Sequence, residues 1–237
     1  MITETLLGEQ RLNESIGGIE ACSLSNENLA ASPRTNGGAA QHLLGLDRLR
    51  DTVDALSESI REQLPPRPHY EWIDEAEHTM WKLQPETAMD YPEQQDLFVG
   101  KSGNPDMWIA AHSEPVFHSS RFSRCGETFC YLKLDGSEDL GSERFADKAE
   151  IEDALNSILI PAKVGCTIGG GTGQRYSYLD LALTDLERAF QAIREVLRHG
   201  NISKRSWIQF FDADLASEWI GIYDDTPAPL MRTVNEL

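Results

Sequence analysis

Cysteine is scarce in this chain of 237 residues, and its scarcity narrows the available chemistry. Cys22, Cys125, Cys130 and Cys166 are too few and too scattered for a disulfide framework. The C-G-E-T-F-C spacing at Cys125 and Cys130 is neither a redox C-x-x-C nor a zinc knuckle. Cys130 and Cys166 fall on expected strands, where a thiol serves as a small core hydrophobe. No apolar run approaches the length that crosses a bilayer. The opening MITETLLGEQRLNESIGG does not read as a secretory signal, so a cytoplasmic location is expected. Basic residues are also in short supply, 21 Lys and Arg against 39 Asp and Glu, for a formal charge of −18. That balance repels phosphate backbones and disfavours nucleic acid. It leaves two readings, plain solubility or steering toward a basic partner.

What is present suffices for a core: 40% hydrophobic residues, with five Trp. Residues 1–39 are rich in Ser, Asn and Gly from Ser23 to Gly38 and are expected to form a disordered tail. From about Ala40, Leu43, Leu44, Leu46, Leu49, Val53, Leu56 and Ile60 recur at helical spacing. Pro65, Pro66 and Pro68 stop that helix, so residues 40–68 read as an amphipathic helix and stiff connector. The stripe must be buried on its own domain, on a second copy or on a partner, and docking on its own domain is expected. An α+β domain then occupies 69–237. In its first part, 69–126, Pro85, Pro92, Pro105, Pro115, Gly100 and Gly103 enforce loops. A strand or helical turn is expected near His78, and a short strand from Met107 to Ala111. This segment should wrap the remainder or extend its sheet.

From residue 127 onward the hydrophobic period switches between 2 and 3.6 at marked boundaries. Thr128 to Leu134 reads as a strand. Asp147, with Glu150 three residues on, caps a helix that Pro161 ends. Val164, Cys166 and Ile168 alternate along a second strand, and the glycines from Gly169 to Gly173 bend the chain into a third, from Arg175 to Leu183. Thr184 and Glu187 repeat the capping spacing for a second helix, with Gly200 at its left-handed C-terminal position. Trp207 to Phe211 forms the fourth strand, and Trp219 to Tyr223 a hairpin partner. This order is that of a split βαβ unit. The fold expected is α+β: a ferredoxin-like βαββαβ antiparallel sheet with two helices on one face, plus an N-terminal docking helix and the tail. Alternation turns Leu179, Leu181 and Leu183 toward the helices. Tyr131, Tyr176 and Tyr178, with Trp207 and Phe211, then occupy the other face, which protein should cover.

No catalytic or cofactor motif is complete. The loop from Gly169 to Gln174 offers consecutive N–H groups of the kind that cradle phosphate, but it lies between two strands instead of opening a helix. A hairpin bend is the simpler account. The spacings of His78, His112, His118 and Cys125 match no zinc signature, so no metal and no cofactor are expected.

The reading leans away from an enzyme. It favours a non-catalytic acidic module, such as an immunity or inhibitor protein or a regulatory subunit, binding a basic protein partner. Glu71, Asp74, Glu75, Glu77, Asp212, Asp214 and Glu218 would supply the electrostatic part of the interface. Trp207, Trp219 and Tyr223 would supply aromatic anchors. One alternative is an enzyme or small-ligand sensor with a pocket between the sheet and residues 69–126, lined by His112, His118, Cys125, Arg175 and Asp180. Another is a homo-oligomeric structural protein.

Overall fold

The structure, a computed structural model, describes residues 48–85, 87–113, 116–136 and 144–231. The chain divides into two units, residues 1–63 and 64–237. In the first, helix α1 (Leu49–Gln63) carries the expected apolar stripe, with Leu49 and Val53 buried and Leu56 and Ile60 exposed. The tail at 1–39 and the helix start near Ala40 lie outside the described residues.

The second unit is built on strands β1 (Thr79–Lys82), β2 (Leu97–Ser102), β3 (Thr128–Asp135), β4 (Gly165–Gly173), β5 (Tyr176–Leu183), β6 (Ser206–Phe210) and β7 (Trp219–Gly221). They form one sheet in the order β1-β2-β4-β5-β3-β6-β7, and every neighbouring pair is antiparallel. Helices α2 (Pro105–Ser113), α3 (Lys148–Ala162) and α4 (Leu186–His199) complete it. Among the described residues, no helix is long and apolar enough to cross a membrane.

Period-2 alternation decides the two faces. Leu132, Leu134, Leu179 and Leu181 pack with Ile151, Leu155 and Leu159 of α3 and with Ile193 and Leu197 of α4. On the opposite face, Phe129, Cys166, Ile168 and Ala182 meet Met107 and Ala110 of α2. Beside them Tyr131, Tyr176, Tyr178 and Trp207 pack with Tyr91 and Leu97. Residues 69–125 contribute to this architecture in two ways. They add β1 and β2 to the sheet, and they cover the tyrosine face.

Several local expectations are corrected. Met107 to Ala111 is helical: Pro105 suits a first helical turn, and the Asn104 side-chain carbonyl accepts from Met107 N at 3.2 Å. So short an apolar run does not distinguish strand from helix by itself. Pro161 lies inside the last turn of α3, which closes one step later on Lys163 in the left-handed conformation. The cap of α4 is Asp185, accepting from Arg188 N at 3.1 Å, and not Thr184. Gly200 stays right-handed, and Asn201 (φ 54°) takes the left-handed position. The glycine run from Gly169 to Gly173 is no bend. It is the second half of β4, held between β2 and β5 beyond a register shift at Thr167, and the chain turns at Gln174 and Arg175.

Candidate functional site

Residues 90–96 cross the tyrosine face as a strap, and one carboxylate anchors it. Asp96 is wholly buried and accepts from Arg175 N at 2.8 Å, from Tyr176 N at 2.9 Å and from the Tyr178 hydroxyl. Lys133, whose aliphatic stem crosses the same face, donates to Tyr91 O at 2.5 Å and lies 4.2 Å from the Tyr176 ring centre. Burial pushes its ammonium down to about 8. At the strap's edge, Arg205 spans Asp135 at 2.9 Å and Asp90 at 2.8 Å, and Arg175 reaches Asp135 at 3.2 Å. Arg175 is thus a tie between strap and sheet.

A second line of polar groups runs beneath the strap. Gln94 Nε2 donates to Asp180 Oδ1 at 3.2 Å, and Gln94 Oε1 lies 2.8 Å from His112 Nε2. His112 Nδ1 lies 2.8 Å from Trp108 O. Both ring nitrogens face acceptors, so this arrangement requires an imidazolium. Rotating the Gln94 amide gives the complementary arrangement: Gln94 then donates to a neutral His112 and accepts from a protonated Asp180. The same single proton satisfies the line either way. Burial pushes the Asp180 carboxyl up to about 7, and its Oδ2 has no hydrogen-bond partner among the described residues. Beyond His112 the rings of Trp108 and Trp81 stack in turn, each step 4.0 Å between centres. His112 and Asp180 are therefore brought together, through a glutamine that no sequence motif marks.

The other expected pocket residues go elsewhere. His118 sits 3.9 Å from Asp214. Burial first, then the nearby Glu127 carboxylate, raises the Cys125 thiol. Glu127 itself was not foreseen. It accepts from His69 N at 2.8 Å, from Ser123 Oγ at 2.6 Å and from the His69 ring at 2.9 Å. Burial works to raise this carboxyl, and those contacts outweigh it and leave it below its usual range. With His69 buried too, Glu127 reads as a clip holding residues 68–72 against the start of β3. Glu127→Ala leaves three donors without an acceptor and is expected to cost about 3 kcal/mol in urea unfolding. A loss under about 1 kcal/mol would show that the clip is solvated.

The expected partner-binding residues separate into four groups. Trp207 is fully buried, with Nε1 donating to Pro227 O at 2.6 Å, so it belongs to the protein's own core and offers no anchor. Trp219 and Tyr223 are half-buried, and the Tyr223 hydroxyl donates to Ile202 O at 2.9 Å. Asp212 is engaged by Ser119 N at 2.7 Å and by the Ser119 hydroxyl. Farther along, at the end of the acidic stretch 212–225, Asp224 is taken up by Arg194 at 2.6 Å and Arg198 at 2.8 Å, and Asp225 by Lys204.

What remains is Glu71, Asp74, Glu75 and Glu77, all exposed and without an ion pair among the described residues, together with exposed Asp214 and Glu218. Glu71 closes one 3-10 turn, Asp74 and Glu75 lie on the next, and Glu77 directly precedes β1. Antiparallel pairing places the start of β1 and the end of β6 at the same end of the sheet, so these six acids share it. No family model, curated protein or solved structure matches this chain.

Proposed function

We propose that this chain is a protein-binding module, without catalysis of its own, that takes a basic partner on the acidic end of its sheet. The observation that carries it is the cluster Glu71, Asp74, Glu75 and Glu77, exposed and without an ion pair among the described residues, on a scaffold whose tyrosine face is covered by its own strap. Unpaired carboxylates on ordered turns raise association rates with a basic surface. The free thiols of Cys125, Cys130 and Cys166 suit a reducing, cytoplasmic setting. The scaffold itself we read as ferredoxin-like. Strands β3, β4, β5 and β6 alternate in sequence with α3 and α4 as β-α-β-β-α-β, and they lie side by side as β4-β5-β3-β6. On this reading β1, β2 and β7 are extensions at the two edges.

The test uses labelled decalysine as a defined basic probe. Neutralising the cluster (E71Q, D74N, E75Q, E77Q) is expected to weaken binding about tenfold at low salt, with a flatter salt dependence. A control of equal net charge, D51N, E58Q, E62Q and E187Q, should bind as the native chain does. Equal weakening by both variants would mean that only overall charge matters, and the acidic end would lose its role.

A further inference from the structure

We infer that β1 is a strand-addition site, whose open edge pairs with an extended segment of the partner that is basic toward its C-terminus. This deepens the reading above and rests on it. β1 is the outermost strand, and it pairs with β2 in unbroken register from Thr79 opposite Ser102 to Lys82 opposite Val99. Leu83 N donates to Phe98 O at 3.0 Å, which continues that register and sets its phase. Residues of an antiparallel strand alternate between those exchanging both backbone bonds with their partner and those facing away. Thr79, Trp81 and Leu83 therefore turn their backbone groups to β2, and Met80 and Lys82 turn theirs outward.

The far side of β2 agrees with this phase. The carbonyls of Val99 and Lys101 point at β4, where a Cβ on Gly171 or Gly169 would meet them at 2.4 Å and 2.2 Å. Along the β1 edge, two N–H and two C=O groups thus face outward with no strand beyond them among the described residues.

Proteins commonly blunt such an edge with proline, a bulge or a covering element. β1 contains no proline and no register shift, and Met80 is 69% exposed. Lys82 is its one charge, and a strand side chain leaves through the sheet face, clear of the hydrogen-bonding edge. The strand is also held ready, because Trp81 stacks flat on Trp108, which itself rests against Gly100.

Charge orders the occupant. Asp74, Glu75 and Glu77 lie just before Thr79, while Lys82 stands at the other end of β1. Paired in the antiparallel sense of every other contact in the sheet, a segment would bring its C-terminal residues past the acids, where lysine or arginine fits. A second copy of the chain would instead set −18 against −18.

A short synthetic peptide of alternating threonine and valine, ending in three lysines, is titrated into the full chain. Amide exchange is followed by NMR. Saturable binding is expected, with exchange at Met80 and Lys82 slowed about tenfold and Trp81 unchanged. Lys82→Pro removes one outward donor without touching a bond to β2, and is expected to weaken binding about tenfold relative to Lys82→Ala. Slow exchange at Trp81 in the proline variant verifies that β1 is still in place. If the peptide binds through the acids yet the two variants agree and Met80 and Lys82 stay fast, strand addition is wrong and the acidic end survives. No binding by peptide or decalysine removes both. Slowed Met80 and Lys82 without peptide gives the edge to a second copy if light scattering shows a dimer, or to this chain's own residues if it shows a monomer. Either result overturns the proposal.

Discussion

Asp180→Asn is expected to make the protein more stable at pH 8 by about 4 kcal/mol, while leaving its stability near pH 4 almost unchanged. Asp180 is wholly buried, and burial lifts its carboxyl from an ordinary 3.8 to about 7. The Gln94 hydrogen bond and the Lys148 ammonium oppose that rise, and the Glu152 carboxylate adds to it. Between those two values the folded chain holds a proton that the unfolded chain releases. Its contribution is therefore complete below pH 3.8 and is lost as pH climbs through 7. Three units at about 1.4 kcal/mol each give the figure above. Asparagine carries no proton to lose, and its amide N–H can donate to the rotated Gln94 carbonyl as the protonated carboxyl does, which leaves His112 neutral. Urea unfolding of both proteins from pH 3.5 to 8.5 measures the difference. Groups away from the His112–Gln94–Asp180 line, Glu127 among them, titrate equally in the two and cancel. Parallel curves would show that water reaches Asp180 and that the Gln94 line is not dry.

The faces of the sheet were legible because a period of two assigns each residue to a side. Leu179 and Leu181 met the helices, and Tyr176 and Tyr178 met the strap. The Asp147 cap was legible for the same local reason, its partners lying two and three residues on. What stayed hidden depends on residues far away in sequence. Asp96 looks like any loop acid until residues 175, 176 and 178 close on it. Gln94 gains meaning only between His112 and Asp180. Trp207 reads as a surface anchor until Pro227 accepts its indole N–H. The acidic stretch at 212–225 looked uniform, but arginines spaced four apart on α4 neutralise its far end. The acids at 71–77 differ in that, among the described residues, none of them has an ion pair.

Gly170→Ala is expected to cost at least about 4 kcal/mol, enough to threaten folding of a domain of ordinary stability. A glycine run suggests a bend when read alone, because the reason for each glycine lies on the neighbouring strands. At Gly170 a Cβ would stand 2.1 Å from the Tyr178 carbonyl oxygen and 2.9 Å from the Leu179 Cα, and φ is +139°. Both obstacles are backbone, so no side chain can swing aside. The natural comparison is Gly126, also at positive φ (+73°) but with nothing within 4 Å of its missing Cβ. Gly126→Ala carries only the conformational penalty, about 1 kcal/mol. Denaturation of the two variants separates crowding from backbone preference, and similar midpoints would refute close packing of β4 on β5. The consequence reaches the proposed site. Among the described residues β1 joins the sheet through β2 alone, and β2 through the Gly169–Gly173 half of β4. Forcing β4 away from β5 therefore loosens the strand that carries Met80 and Lys82. Amide exchange at Trp81 should accelerate in Gly170→Ala and stay slow in Gly126→Ala.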